Sequence, residues 1–215
     1  MTGTKAMALD SWARRVGQSY VRFDYSGHGQ SGGAFTDGTI GLWLEDALAV
    51  IETTARDKLV LIGSSMGGWL SLLAAKRLGA RVAGWIGIAA APDFTEKLLL
   101  ANLSPADRAT LERDGRLVRP SQYSPEPTIL TRKLIEEGRN HLVLTVPLKL
   151  DCPVHLFHGM KDPDVPWALS QRLLEHIESP DIAFTLTKDG DHRLSTPPDI
   201  DRLLAVVEAM CRRVS

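Results

Sequence analysis

Gly63-Ser64-Ser65-Met66-Gly67 follows the run Lys58 to Ile62 and opens an apolar, helix-periodic stretch from Trp69 to Leu78. Strand, sharp turn and helix in that order form the setting a nucleophilic serine requires. The serine backbone is strained at the apex, and glycine flanks it because side chains at Gly63 or Gly67 are expected to collide with the neighbouring strand or helix. At ordinary glycine and serine frequencies a chain of this length shows G-x-S-x-G by chance about 7% of the time, so context and partners must decide. The bland alternative is a serine that only caps the following helix.

A serine hydroxyl is a poor nucleophile at neutral pH; it needs a base to take its proton and a carboxylate to orient that base. Both occur downstream. His158-Gly159-Met160-Lys161-Asp162 follows the β-rich run Val154 to Phe157, and Gly190-Asp191-His192-Arg193 follows Ile182 to Leu186. Ser65, Asp162 and His192 therefore all fall at carboxyl ends of strands, the edge where open α/β sheets bind ligands. Asp164 is a rival acid, and Asp162 is preferred because it lies nearer the strand end. Of the six histidines, His192 alone follows the last strand. His28, His141 and His176 occupy other chain positions. His155 and His158 flank a strand interior, and their i, i+3 spacing points them to opposite faces, which argues against a metal pair.

The elements that must hold these residues alternate. β-rich runs at Tyr20 to Tyr25, Leu59 to Ile62, Val82 to Ile88, Val154 to Phe157 and Ile182 to Leu186 are separated by helix-compatible stretches at Ala6 to Arg15, Gly41 to Thr54, Met66 to Leu78, Trp167 to Ile177 and Asp199 to Arg213. Asp199, after Pro197-Pro198, reads as the N-cap of the last helix. This alternation predicts the α/β class, a mostly parallel open sheet with helices on both faces. Between Pro92 and Pro153 three helix-like pieces, Phe94 to Asn102, Pro105 to Asp114 and Thr128 to Asn140, carry no convincing central strand. The expected organisation is a core of residues 1–92 and 153–215 with a helical cap insertion at 93–152. Leu98, Leu99 and Leu103 are candidates for the apolar side of a substrate pocket, although leucines of this kind can equally dock the insertion onto the core.

Gly27-His28-Gly29-Gln30-Ser31-Gly32 matches G-x-G-x-x-G and raises a dinucleotide site. The match lacks its context, because Gly33 to Gly38 continues as loop where a helix should open, and Glu45, Asp46 and Glu52 lie on a helix rather than at a strand end. No cofactor is expected.

The chain has 215 residues, 44% hydrophobic and 24% charged, with a formal net charge of -1. That charge gives no electrostatic reason to expect nucleic acid or an anionic membrane as partner, and leaves small neutral or singly charged substrates. The amino terminus lacks an apolar signal core and no run is long enough to span a bilayer, so a soluble, cytoplasmic protein is expected. Cys152 and Cys211 are the only cysteines, outside any C-x-x-C spacing, and read as reduced.

Phe23-Asp24-Tyr25-Ser26-Gly27-His28-Gly29-Gln30-Ser31, the turn at Ser65, His158 to Asp162 with Val165-Pro166, and Asp191-His192-Arg193 together resemble the α/β hydrolases over nearly the whole chain. Their order, serine then acid then histidine, is the order that family uses. Gly63 to Leu70 and His158 to Trp167 look most like its acyl-protein thioesterase and acyl-glucuronide esterase branch. The resemblance implies hydrolysis of small-molecule esters or acyl thioesters through an acyl-serine, with Ser65, Asp162 and His192 as catalytic residues and the Met66 N–H as an oxyanion donor. In that family further strands, and a glycine-containing loop with a second oxyanion donor, precede the strand at Tyr20, whereas this chain begins at Met1-Thr2-Gly3-Thr4-Lys5-Ala6. The expected gap lies between the strands at Tyr20 and Leu59, to be closed by direct pairing or by another chain in a homo-oligomer. The competing expectation is a catalytically impaired fold that binds acyl groups or small molecules; lactone opening would use the same residues.

Overall fold

The computed structural model describes residues 1–55, 57–120, 127–145 and 147–213. Four strands, β1 (Leu59–Ser64), β2 (Val82–Ile88), β6 (Val154–Gly159) and β8 (Ile182–Thr187), form one parallel sheet in the order β1-β2-β6-β8. Trp85 and Leu156 enter one core with α2 (Ile40–Thr54), α3 (Met66–Leu78) and α6 (Trp167–His176), while Ile86, Ile88 and Phe157 enter a second with α1 (Thr4–Val16) and α7 (Pro197–Arg212). Successive strand residues point to opposite faces, so β1, β2 and β6 feed both cores and each face needs its own helices.

Tyr20 to Tyr25 is not a strand. Tyr20 packs on the second core and Tyr25 on the first, while Val21 is exposed and Phe23 belongs to neither core. Residues 18–25 make no ladder among the described residues, and β1 pairs with β2 alone. The direct pairing of this segment with Leu59 to Ile62 does not occur. β-propensity reflects how a side chain fits a pleated surface; a strand also needs a neighbour to receive its backbone bonds.

Between β2 and β6 the chain adds short helical turns at Thr95–Leu99 and Leu100–Asn102, then α4 (Pro105–Asp114) and α5 (Arg132–Gly138). It also contains a hairpin absent from the sequence reading: β3 (Arg116–Arg119) pairs antiparallel with β4 (Thr128–Thr131). The piece expected to be helical from Thr128 thus starts as strand, and its Thr131 hydroxyl accepts from the Leu134 N–H at 3.1 Å to start α5. Two residues each of β5 (Leu148–Lys149) and β7 (Ile177–Glu178) add a minor parallel pair. The Trp69 indole N–H donates to the His141 carbonyl at 3.0 Å, fastening α3 to this insertion.

Asp93 is the second fastening. It is 1% exposed, sits in the left-handed region at φ 54°, and accepts from the Val143 and Leu144 N–H groups at 2.8 and 3.0 Å. Asp93→Ala would strand two buried donors, and a loss of about 2–4 kcal/mol is expected in chemical denaturation.

The last helix corrects the expected cap. Pro197 and Pro198 lie inside its first turn, where a missing N–H is harmless, so the cap is Thr196. Asp199 is the third helical residue, and its carboxylate accepts from the Thr196 backbone N–H at 3.2 Å in a capping box. The loop from Gly27 to Gly32 leads to a single 3-10 turn at Phe35–Asp37, so no helix opens at the third glycine.

Candidate active site

β1 ends at Ser64, α3 starts at Met66, and Ser65 forms the whole connection at φ 54°, ψ -124°. Such a conformation costs a non-glycine residue of order 1–3 kcal/mol and persists because the surroundings fix it. Here the Ser65 N–H donates to the Ile88 carbonyl of β2 at 2.9 Å, and the Ser65 carbonyl accepts from Gly68 at 2.9 Å and Ala91 at 3.1 Å. The sheet and the next loop thus hold the turn from both sides.

The turn needs two glycines, but not the expected pair. A Cβ on Gly63 would lie 2.2 Å from the Gly67 carbonyl oxygen and from Ser71 Oγ, and one on Gly68 would lie 2.5 Å from the Ala90 Cβ. A Cβ on Gly67 would meet nothing within 4 Å, so the expected collision there is corrected. Gly63→Ala is expected to lose about 1–3 kcal/mol and roughly 100-fold in rate, because backbone must move and Ser65 with it. Gly67→Ala should leave the melting temperature unchanged or slightly higher, alanine being the better helix residue. Thermal melts of the two variants check the contrast.

His192 lies in the loop from β8 to α7. Its Nδ1 is 2.7 Å from Asp162 Oδ2 and its Nε2 is 3.1 Å from Ser65 Oγ. An ionised carboxylate only accepts, so Nδ1 carries the proton and Nε2 is left to accept from the serine hydroxyl. The loop is shaped by Asp191, whose Oδ1 accepts from the Arg193 and Leu194 N–H groups at 3.0 and 2.9 Å, with Leu194 at φ 44°.

Asp162 follows β6, with its side chain 1% exposed. Oδ1 accepts from the Asp164 and Val165 N–H groups at 2.8 and 2.9 Å; Oδ2 accepts from His192 and, at 3.1 Å, from His158 Nε2. Burial pushes this carboxyl's pKa up, but the bonds from His158, His192, Val165 and Asp164 outweigh it and hold the group well below the usual carboxylate range. The structure therefore brings Ser65, His192 and Asp162 into one hydrogen-bonded row, with Asp162 as the carboxylate on the imidazole.

Met66 is the first residue of α3, where backbone N–H groups have no partner within the helix and the helix dipole favours a negative charge. Leu103 is buried in the first core and Leu99 packs against it, so both dock the insertion. Leu98 is half-buried and belongs to neither core. His155 and His158 are not a metal pair: His155 bonds Thr185 Oγ1 at 2.8 Å, and His158 turns to Asp162. Among the described residues one group has metal-ligand chemistry, Asp162, Asp164 and His192, with donor atoms within 4.8 Å of one another. It is the same carboxylate and imidazole, and the four bonds on Asp162 already use both of its oxygens. Cys152 and Cys211 are not in a disulfide, and burial pushes both thiols above their ordinary range.

A family profile described as serine aminopeptidase, S33, matches residues 9–138, more than half of the chain and including the turn at Ser65. The palmitoyl-protein thioesterase ABHD10 of Mus musculus, a mitochondrial protein, is 37% identical over 216 residues, spanning all of this chain and 72% of that relative. The chain belongs to the α/β-hydrolase family. Two solved structures agree with this α/β-hydrolase assignment. A protein from Agrobacterium vitis S4 assigned as a hydrolase superimposes with a TM-score of 0.94 at 49% identity, covering 98% of this chain and 83% of that one. Mouse α/beta hydrolase domain-containing protein 10 superimposes with a TM-score of 0.90 at 36% identity, covering 100% and 86%.

The expectation of a cytoplasmic location is corrected by these relatives: the ABHD10 proteins of mouse, cattle and human are all named as mitochondrial. Composition and hydropathy speak to membrane spans, and no helix among the described residues is long and apolar enough to cross a membrane. They do not speak to compartment, which is set by addresses that receptors read.

Proposed function

We propose that this α/β hydrolase cleaves carboxylic esters and acyl thioesters through an acyl-serine on Ser65. The observation that carries the reading is the row Ser65 Oγ, His192 Nε2, His192 Nδ1, Asp162 Oδ2, closed at 3.1 and 2.7 Å on a strained turn. His192 Nε2 takes the Ser65 proton as Oγ bonds the acyl carbon, and Asp162 stabilises the imidazolium that forms. The Met66 N–H donates to the oxyanion. When the tetrahedral species collapses, the carbon–sulfur or carbon–oxygen bond breaks and His192 gives its proton to the leaving thiol or alcohol. Water, deprotonated by the same imidazole, then adds to the acyl-serine and releases the acid and the serine.

Residues 93–152 serve as a cap over a core of residues 1–92 and 153–215, with Leu98, which belongs to neither core, contributing apolar surface on the acyl side. The palmitoyl-protein thioesterase names of the relatives favour long-chain thioesters as the first substrates to try.

The purified chain is incubated with a fluorophosphonate, which reacts only with an activated serine, and the adduct is located by mass spectrometry. Labelling at Ser65, with turnover of acyl thioesters, supports the reading. A folded chain that gives no adduct overturns it and leaves the acyl-binding alternative.

A further inference from the structure

His158 is the one histidine whose ring is wholly buried, 0% exposed at the end of β6, and it touches the carboxylate that holds the catalytic imidazole. Its Nε2 lies 2.9 Å from the Val165 carbonyl and 3.1 Å from Asp162 Oδ2, and its Nδ1 lies 2.7 Å from Ser170 Oγ on α6. A carbonyl and an ionised carboxylate can only accept, so Nε2 carries a proton that it shares between them.

The Asp162 carboxylate is thereby fixed at both ends. Oδ1 is pinned by two backbone N–H groups of its own loop. Those bonds restrain the carboxylate through one oxygen only, and residual rotation about Cβ–Cγ still moves Oδ2, the atom bonded to His192. The His158 N–H opposes it from β6, and Ser170 fixes the ring from α6, so one rigid strand and one helix set the Oδ2 position.

We propose that His158 is a positioning residue for the reaction, holding Asp162 Oδ2 where the His192 Nδ1–H can donate to it. The inference rests on the acyl-serine reading above. It predicts a requirement for a donor at the Nε2 position, not merely for a side chain that fills the site. The other ionisable groups facing this network are His192 from the β8–α7 loop and Asp164 from the loop after β6, whose donor atoms cluster with Asp162. α6 contributes Ser170 and the β1–α3 turn contributes Ser65.

His158→Gln places an amide N–H2 near the Nε2 position, while His158→Asn places one near Nδ1 and lacks a donor that reaches Asp162. Both are polar and shorten or preserve the side chain without adding bulk. The measurement is the rate constant for fluorophosphonate labelling of Ser65, per folded molecule, as a function of pH. The expected result is a plateau within about 3-fold of the parent for His158→Gln and about 10- to 100-fold lower for His158→Asn, the size of effect a misplacement of 1 Å or less produces. The acid limb should move to lower pH in His158→Asn, because a displaced Asp162 stabilises the His192 imidazolium less. If His158→Asn does not fold, His158→Leu supplies the variant without a donor. Equal plateaus in the parent and both variants, or a His158→Gln plateau as low as that of His158→Asn, would overturn the inference. An unlabelled parent would instead overturn the acyl-serine reading itself, so the two failures are told apart.

Discussion

Ser65→Ala is expected to remove fluorophosphonate labelling and lower ester and thioester turnover by about 10⁴- to 10⁶-fold, with a melting temperature close to that of the parent chain. The rate effect follows from losing the group that becomes acylated; what survives is the contribution of binding and oxyanion donation, worth some 10³- to 10⁴-fold over water in enzymes of this kind. The stability effect follows from where the turn gets its shape. The bonds that hold φ at 54° run through the Ser65 N–H and carbonyl, to Ile88, Gly68 and Ala91, and alanine keeps all of them. The hydroxyl contributes one bond, to a half-buried His192, worth about 1 kcal/mol at most. Ser65→Gly should go further and melt higher than the parent, because glycine adopts this backbone without strain. Turnover by Ser65→Ala comparable to the parent would remove Ser65 from the chemistry. A large loss of stability would mean that the hydroxyl holds the turn together.

The three residues that meet at this site were legible because each is announced by its immediate neighbours. Ser65 sits in a turn pattern between a strand and a helix, and Asp162 and His192 each follow a run of β-favouring residues. In a parallel sheet, every such position lands on the same edge. The parallel sheet itself was legible for the same reason, since alternation of β and α runs leaves few other arrangements. Failures began where a feature depended on something distant in the sequence. Tyr20 to Tyr25 has the composition of a strand and its two end residues pack on opposite cores, but a ladder belongs to two segments and β1 pairs with β2 alone among the described residues. The pairing of Arg116–Arg119 with Thr128–Thr131 is hidden in the sequence because Leu130 and Leu134 sit at helical spacing, and that period runs across the boundary between β4 and α5.

Gly68 and His158 depend in the same way on contacts at closer range. The pattern G-x-S-x-G places its second glycine at Gly67, but the backbone that approaches closely is Ala90, and it approaches Gly68. Only the packing of the loop after β2 against α3 decides which of two adjacent glycines is constrained. The sequence places His158 at the flank of a strand interior and argues only against its pairing with His155 at a metal. Its spacing of four from Asp162 is the available signal: a chain that leaves a strand and turns at once can return a carboxylate to a side chain near the strand's end, and here it does. Thr196 and Asp199 were a matter of register. Two prolines fit the first turn better than the position before it, which puts the cap at Thr196 and turns Asp199 into its reciprocal partner.

Asp162→Asn is expected to lower turnover about 10⁴-fold while leaving Ser65 and His192 in place, a loss out of proportion to the change of one oxygen for one nitrogen. The Asp164 and Val165 N–H groups require an acceptor at Oδ1, so the amide oxygen must take that position. The amide N–H2 then occupies the position of Oδ2 and faces His192 Nδ1. Two donors cannot share that contact, so the imidazole moves its proton to Nε2, where it points at the serine hydroxyl instead of accepting from it. The base is present but in the wrong tautomer, the situation in which a serine enzyme loses about 10⁴ in turnover. His158 adds to the conflict, because its Nε2–H also meets the new N–H2 and retains only the Val165 carbonyl. Stability carries the same signature. The Asp162 carboxyl is held below its unfolded value of about 3.9, so its contribution is fully present above that pH and is lost as pH falls through the folded value. The parent should therefore be more stable than Asp162→Asn at pH 6, and the difference should shrink below about pH 4, as urea unfolding at the two pH values would show. A pH-independent gap would place the loss in packing, and undiminished turnover would mean that a different carboxylate serves His192.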